Sequence, residues 1–265
     1  MRTVMNKYIT YLKTFNKYYY LLTLLVKKDI KKKYKGSFLG ILWSLLNPLL
    51  NMIVLTIVFS TLFKENVHNF PVYMLSGQLL FGFFSSSTMG SLNSVISSAS
   101  LINKVYVPKY IFTFSRLMSD FVFFAISLVD LLLIMIVTRA DITINIMYAP
   151  IYLLLLLVFS SGVSLILATV TVFFRDIEHL YGVFITFLMY GSAIFYPASI
   201  IPDKFQFILT LNPVFYFING FRNVVYDGFP VDSTNLMICL TLAVISLIIG
   251  IVVFEKNQDK FILHI

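Results

Sequence analysis

The sequence predicts an all-α polytopic membrane protein. Six transmembrane helices are expected, with an N-terminal amphipathic interfacial helix and short re-entrant helices between spans five and six. Three observations carry this. Hydrophobic residues make up 59% of the 265-residue chain, and the mean hydropathy is +0.89; soluble domains hold roughly 45–50% apolar residues. Charged residues make up only 12%. Six apolar runs approach or exceed the roughly 20 residues a helix needs to cross a bilayer. A soluble core of this size cannot hide that much apolar area, so lipid is the solvent for much of the surface.

Residues 1–35 are strongly basic and hold ten of the 20 Lys and Arg residues. Tyr8, Tyr11, Phe15, Tyr18, Tyr19 and Leu22 recur mostly three or four apart, with Lys7, Lys13, Lys17, Lys27 and Lys28 largely between them. Two placements satisfy this amphipathic helix. It lies in the cytoplasmic interface, rings at headgroup level and lysines on anionic lipid, or it packs on the protein's own cytoplasmic face. Such a basic segment serves nucleic acid or anionic lipid; the apolar helices that follow select the membrane.

The transmembrane domain, 36–265, has spans expected at 38–63, 71–95, 112–138, 147–174, 180–196 and 236–254. An even number places both termini on one side. If that side is cytoplasmic, the inner segments hold 16 of the 20 basic residues, leaving Lys64, Arg139, Lys204 and Arg222 outside. The positive-inside rule selects this orientation.

The segment 197–230 is apolar yet broken by Pro197, Pro202 and Pro213. Proline ends helices, and open backbone is not tolerated in lipid. Two short helices dipping in from the outer face satisfy both constraints; a folded loop above the membrane is the other solution.

Signatures of catalysis are missing. The chain has no phosphate-binding G-x-x-x-x-G-K-[ST], zinc-protease motif or nucleophile elbow. Its single cysteine, Cys239, excludes an internal disulfide, and His68, His179 and His264 lack metal-ligand spacing. Gly36 and Gly40 form a G-x-x-x-G at the start of the first span, a weak dimerisation motif. Charges inside spans are the better lead, because they are costly in lipid. Arg116 and Asp120, four apart, share a helix face and can pair. Asp130 lies deeper in the same span, either lining a polar conduit or bonding to a neighbouring helix. Two short loops, 98–110 and 173–179, carry mixed charge and exposed aliphatics. They suit docking into a partner's groove, or simply connect spans.

Four motifs resemble one family: Y-K-G-S-F-L-G-I-L-W-S-L-L-N-P-L (Tyr34–Leu49), L-I-N-K-V-Y-V-P-K-Y (Leu101–Tyr110), F-F-R-D-I (Phe173–Ile177) and L-N-P-V-F-Y-F-I-N-G-F-R (Leu211–Arg222). Together, and in this order, they are similar to ABC exporter permeases for polysaccharides and polyol phosphates. The resemblance implies a permease working as a homodimer with two copies of a separate ATPase. ATP and Mg would sit on that partner, with no cofactor, metal or catalytic residue on this chain. The substrate would be a glycan or teichoic-acid-type polymer on undecaprenyl diphosphate, moved outward.

The same resemblance points to three groups of residues. Asn103, Lys104, Val105, Tyr106, Val107, Pro108, Lys109, Arg175, Asp176 and Glu178 would face the ATPase, with Lys104 and Lys109 paired to its acidic groups. Trp43, Phe59, Phe63, Phe187, Tyr190, Phe195 and Tyr196 would line a channel between the first and fifth spans. Lys27, Lys28, Lys31, Lys32, Lys33 and Lys35 would attract the lipid diphosphate, since clustered ammonium groups attract phosphate. The competing expectation is a drug or small-lipid exporter of similar architecture, against which stands the short outer region.

Overall fold

A computed structural model describes the backbone of residues 2–60 and 67–264, and the side chains of residues 17–60 and 67–264. Among the described residues there are ten α-helices and no strand. Helix α1 covers Arg2–Lys33, α2 Trp43–Phe59, α3 Phe70–Leu92, and α4 the single turn Ala99–Ile102. Then follow α5 (Tyr110–Val137), α6 (Ala149–Phe173) and α7 (Ile177–Tyr190). The short α8 (Phe207–Leu211) and α9 (Pro213–Val225) precede α10 (Ser233–Asn257) and a closing 3-10 helix, Gln258–Leu263.

The expected first, third, fourth and sixth spans fall on α2, α5, α6 and α10, each long and apolar enough, with its flanking 3-10 turns, to cross a membrane. The second span corresponds to α3, which has 23 residues but many serines. It is the hub of the fold: sixteen of its residues are buried, and it packs against α2, α5, α6, α7 and α9. Its hydroxyls turn back onto its own carbonyls, as in Ser76 to Tyr73, Thr88 to Phe84 and Ser91 to Ser87. Such back-bonding satisfies polar atoms inside an apolar bundle. The fifth expected span corresponds to α7, which stops at 14 residues, about 21 Å at 1.5 Å per residue. That is short of the roughly 30 Å hydrocarbon core.

Caps set where the helices begin. Asn69, Asn212 and Asp232 each accept from a backbone amide two or three residues on, and Pro71 and Pro213 occupy first-turn positions that need no donor. Pro48 lies inside α2, where it cannot donate to the Ser44 carbonyl. That freed carbonyl accepts from Ser127 Oγ of α5 at 2.8 Å, so the break is repaired from a neighbouring helix.

Helices α6 and α10 approach through backbone. A Cβ on Gly162 would come within 2.3 Å of the Ser246 carbonyl, and one on Gly250 within 2.4 Å of Gly162 O. Gly36 and Gly40 have no such neighbours; both hold positive φ, 83° and 52°, where the chain turns from α1 into α2. Within this chain they act as turn residues.

Helix α9 is built into the bundle against α3, α6 and α10, burying Val214, Phe217, Ile218, Phe221 and Val224. The proline-broken segment is therefore an integral packed element. Its anchor is Arg222, only 5% exposed. Nε and Nη2 donate to Tyr73 O at 3.2 and 2.8 Å, Nη1 to Ala193 O at 2.7 Å, and Nη2 to Ile194 O at 3.1 Å. The guanidinium also lies 3.5 Å from the centre of the Tyr73 ring.

Asp130 is fully buried, and among the described residues neither carboxylate oxygen has a hydrogen-bond partner. A buried acceptor without a donor costs about 1–3 kcal/mol. Asp130→Asn, nearly the same shape without the charge, is expected to melt at or above the parent's temperature in detergent; a lower melting point would reveal a role for the carboxyl.

Candidate functional site: a polar groove between α2, α3 and α5

An open groove of about 260 Å³ lies between α2, α3, α5 and the end of α1. Three stripes line it, each at helical spacing. Helix α2 contributes Ser44, Asn47 and Asn51, α3 contributes Gln78, Gly82 and Ser86, and α5 contributes Asp120, Phe123, Phe124 and Ser127. Trp43, Lys33 and Tyr34 line it from the α1 end. Gln78 Oε1 is buried with no partner among the described residues, an acceptor available to a hydroxyl or amide. The volume sits near the lower end of ligand sites, roughly 300–1,000 Å³. It suits one ring or headgroup rather than a length of polymer.

The charges at the α1 end are arranged, not scattered. Arg116 Nε and Asp120 Oδ2 are 3.4 Å apart, the expected i, i+4 pair. They lie on Gly90, where a Cβ would meet Arg116 Nε at 2.6 Å. Lys33 Nζ stands 4.0 Å from the Phe123 ring centre, and Tyr34 meets the same ring edge-on. Burial pulls the Lys33 ammonium below its usual pKa range, Asp120 opposes that, and Arg116 adds to it.

The expected groups separate in space. Of the lysines, Lys33 alone lines the groove; Lys27, Lys28, Lys31, Lys32 and Lys35 are exposed. Of the aromatics, Trp43 lines the groove. Phe59, Tyr190, Phe195 and Tyr196 gather elsewhere, where α2 ends: Phe59 stacks on Phe195 at 6.3 Å, Tyr190 lies 6.2 Å from Phe195, and Tyr196 OH donates to Tyr190 O. Phe187 is exposed. Phe63 lies outside the described residues, as do the side chains of Tyr8, Tyr11 and Phe15. In the described part of α1, Leu22 and Leu25 are buried in the bundle and Tyr19 faces out, so this half packs on the protein itself.

Both loops lie at the α1 end. Asn103, Lys104, Val105 and Tyr106 are exposed, Tyr106 at 91%, while Val107 is buried and Pro108 half-buried. Tyr18 OH donates to Tyr106 O at 3.2 Å. Lys109 is engaged within the chain, its ammonium donating to Gln258 O and lying 5.6 Å from the Phe261 ring. Arg175 and Asp176 are exposed, and Glu178 accepts from Asn93 Nδ2 at 2.9 Å. The groups that sequence reading missed are the polar stripes and Arg222. The stripes were signalled by Asn47 and Asn51, four apart in an apolar run. Arg222 carried no signal beyond being charged among apolar neighbours.

Helices that bury polar stripes inwards and leave apolar faces outwards, four of them long and apolar enough to cross a membrane, define a polytopic membrane protein. The ABC-2 type transporter family profile matches residues 20–226, and the chain belongs to that family. The chain is similar to the O-antigen export system permease protein RfbA of Myxococcus xanthus, 29% identical over 204 residues, 76% of this chain and 78% of the relative. It is also similar to RfbA of Klebsiella pneumoniae, 28% identical over 196 residues, 74% of this chain and 75% of the relative. The polysialic acid transport protein KpsM of Escherichia coli is 24% identical over 196 residues, 73% and 76% of the two chains.

Proposed function

We propose that the chain is the permease of an exporter that carries a surface polysaccharide outward across the bacterial cytoplasmic membrane. The polymer is linked to undecaprenyl diphosphate or is of teichoic-acid type. A separate ATPase, in two copies, supplies the energy and docks on the exposed residues 103–106 and 175–176. A second copy of the chain completes the channel by covering the exposed faces of α2 and α7, which carry Ile53, Val54, Ile57, Val183, Phe184 and Phe187. Both termini are cytoplasmic.

The groove carries this reading. Amides and hydroxyls in rows, an indole and a cation over a ring suit a sugar next to a phosphate. They do not suit the purely apolar cargo of a drug exporter. The names of the relatives, which concern O-antigen and polysialic acid, support the same choice. Lys33→Glu combined with Trp43→Ala is expected to lower surface polymer at least about tenfold, a change of about 1.4 kcal/mol. The variant should still co-purify with the ATPase. Unchanged surface polymer sinks the assignment of the groove.

A further inference from the structure

The 3-10 helix Gln258–Leu263 joins both exposed loops beneath the bundle. Lys109, at the end of the 103–109 segment, donates to Gln258 O and lies against the Phe261 ring. Burial lowers the Lys109 pKa, while Asp259 of the same 3-10 helix raises it, so the two charges attract. On the other side, Phe173 meets Phe261 at 6.0 Å and His264 at 5.0 Å, both edge-on. Phe173 is two residues before Arg175 and four before the start of α7. Phe261 itself is fully buried, edge-on to Phe254 of α10 at 5.2 Å. It shares one apolar cluster with Leu22 and Leu25 of α1, Ile102, Val107, Phe112 and Val172.

We propose that Gln258–Leu263 is a strut that makes the two loops move as one rigid body, so that force on either reaches α5, α6 and α7 together. This rests on the reading that the loops dock the ATPase. A close-packed ring in a closed apolar cluster cannot shift alone, because interiors are packed like crystals. A displacement of Tyr106 is therefore passed through Val107, Lys109 and Phe261 to Phe173. Without the strut, the exposed part of the first loop is held by the Tyr18 bond and by its own termini. Lys109 and Phe261 are positioning residues in this scheme and touch no substrate.

The test uses the assembled permease–ATPase complex in proteoliposomes, in a Cys239→Ala background that leaves the chain without other thiols. Lys109→Gln and Phe261→Ala are each expected to keep ATP hydrolysis within about twofold while export per ATP hydrolysed falls at least about tenfold; Phe261→Leu should restore most of it. Joining Lys109→Cys to Gln258→Cys with a short bismaleimide should leave export intact, since a rigid body loses nothing by being cross-linked. Normal coupling in Lys109→Gln and Phe261→Ala, or export abolished by the cross-link, overturns the strut. In parallel, Tyr106→Cys is cross-linked to the ATPase. That product separates the two failures: if it forms while the strut variants couple normally, the docking reading stands and the strut falls. If it does not form, the docking reading falls and takes the strut with it.

Discussion

Arg222→Met is expected to yield a protein that inserts and folds but melts well below the parent. The guanidinium bonds the carbonyls of Tyr73, Ala193 and Ile194, from α3 and from the turn after α7. Asn212 Nδ2, which donates to Leu188 O and Ser192 Oγ, also ties α9 to the end of α7, and Tyr73 OH, which donates to Ala193 O and Tyr196 O, ties α3 to the turn. Methionine fills the space but leaves buried acceptors bare. A buried acceptor left without its donor costs about 1–3 kcal/mol, and three carbonyls lose the guanidinium here. At roughly 2–4 °C per kcal/mol for a chain of this size, the melting temperature in detergent should fall on the order of 10 °C. Arg222→Lys keeps the charge but offers one compact ammonium in place of a planar fork, so it should recover only part of the loss. Gly77→Ala should mimic the defect, because its Cβ would lie 2.5 Å from Nη2. A melting point for Arg222→Met within about 2 °C of the parent would show that other bonds carry the clamp.

Gly162→Ala is expected to have an effect of similar size by a different route. The added methyl would sit 2.3 Å from both C and O of Ser246 and 2.5 Å from Leu247 N. These are backbone atoms of α10, which cannot rotate away as a side chain can. Overpacking usually costs about 1–3 kcal/mol when side chains yield, and more is expected where two helices must separate. Gly82→Ala is the control, since a Cβ there has nothing within 4 Å. Thermal stability of the two variants, measured side by side in detergent, should split clearly; equal melting points would mean that α6 and α10 part at little cost. Small residues let helices approach in lipid, where packing rather than the hydrophobic effect holds them.

Hydropathy located the helices because solvent preference is written residue by residue along the chain. It placed the starts of the second, third, fourth and sixth spans within about three residues of α3, α5, α6 and α10. It also matched α3 to a span; that helix is buried along most of its length, with Gly82, Ser86 and Met89 left exposed on one face. The loop motifs were legible too, because runs such as Leu101–Tyr110 are contiguous. Only the exposure of Asn103–Tyr106 and the engagement of Lys109 required coordinates.

The groove was not legible as a site. Ser44 and Ser127 are 83 residues apart, and their bond exists because Pro48 leaves a carbonyl free and α5 passes close by. Arg222 looked like an outward charge until α9 folded inward and brought Tyr73, 149 positions away, to its guanidinium. The membrane character, the basic end and the lack of a nucleotide-binding motif therefore belong to composition and to local pattern, which a chain carries before it folds. The clamp, the groove and the strut under the loops belong to contacts between residues far apart in the chain. They arise only when helices pack closely enough for one element's unpaired polar atoms to be met by another's.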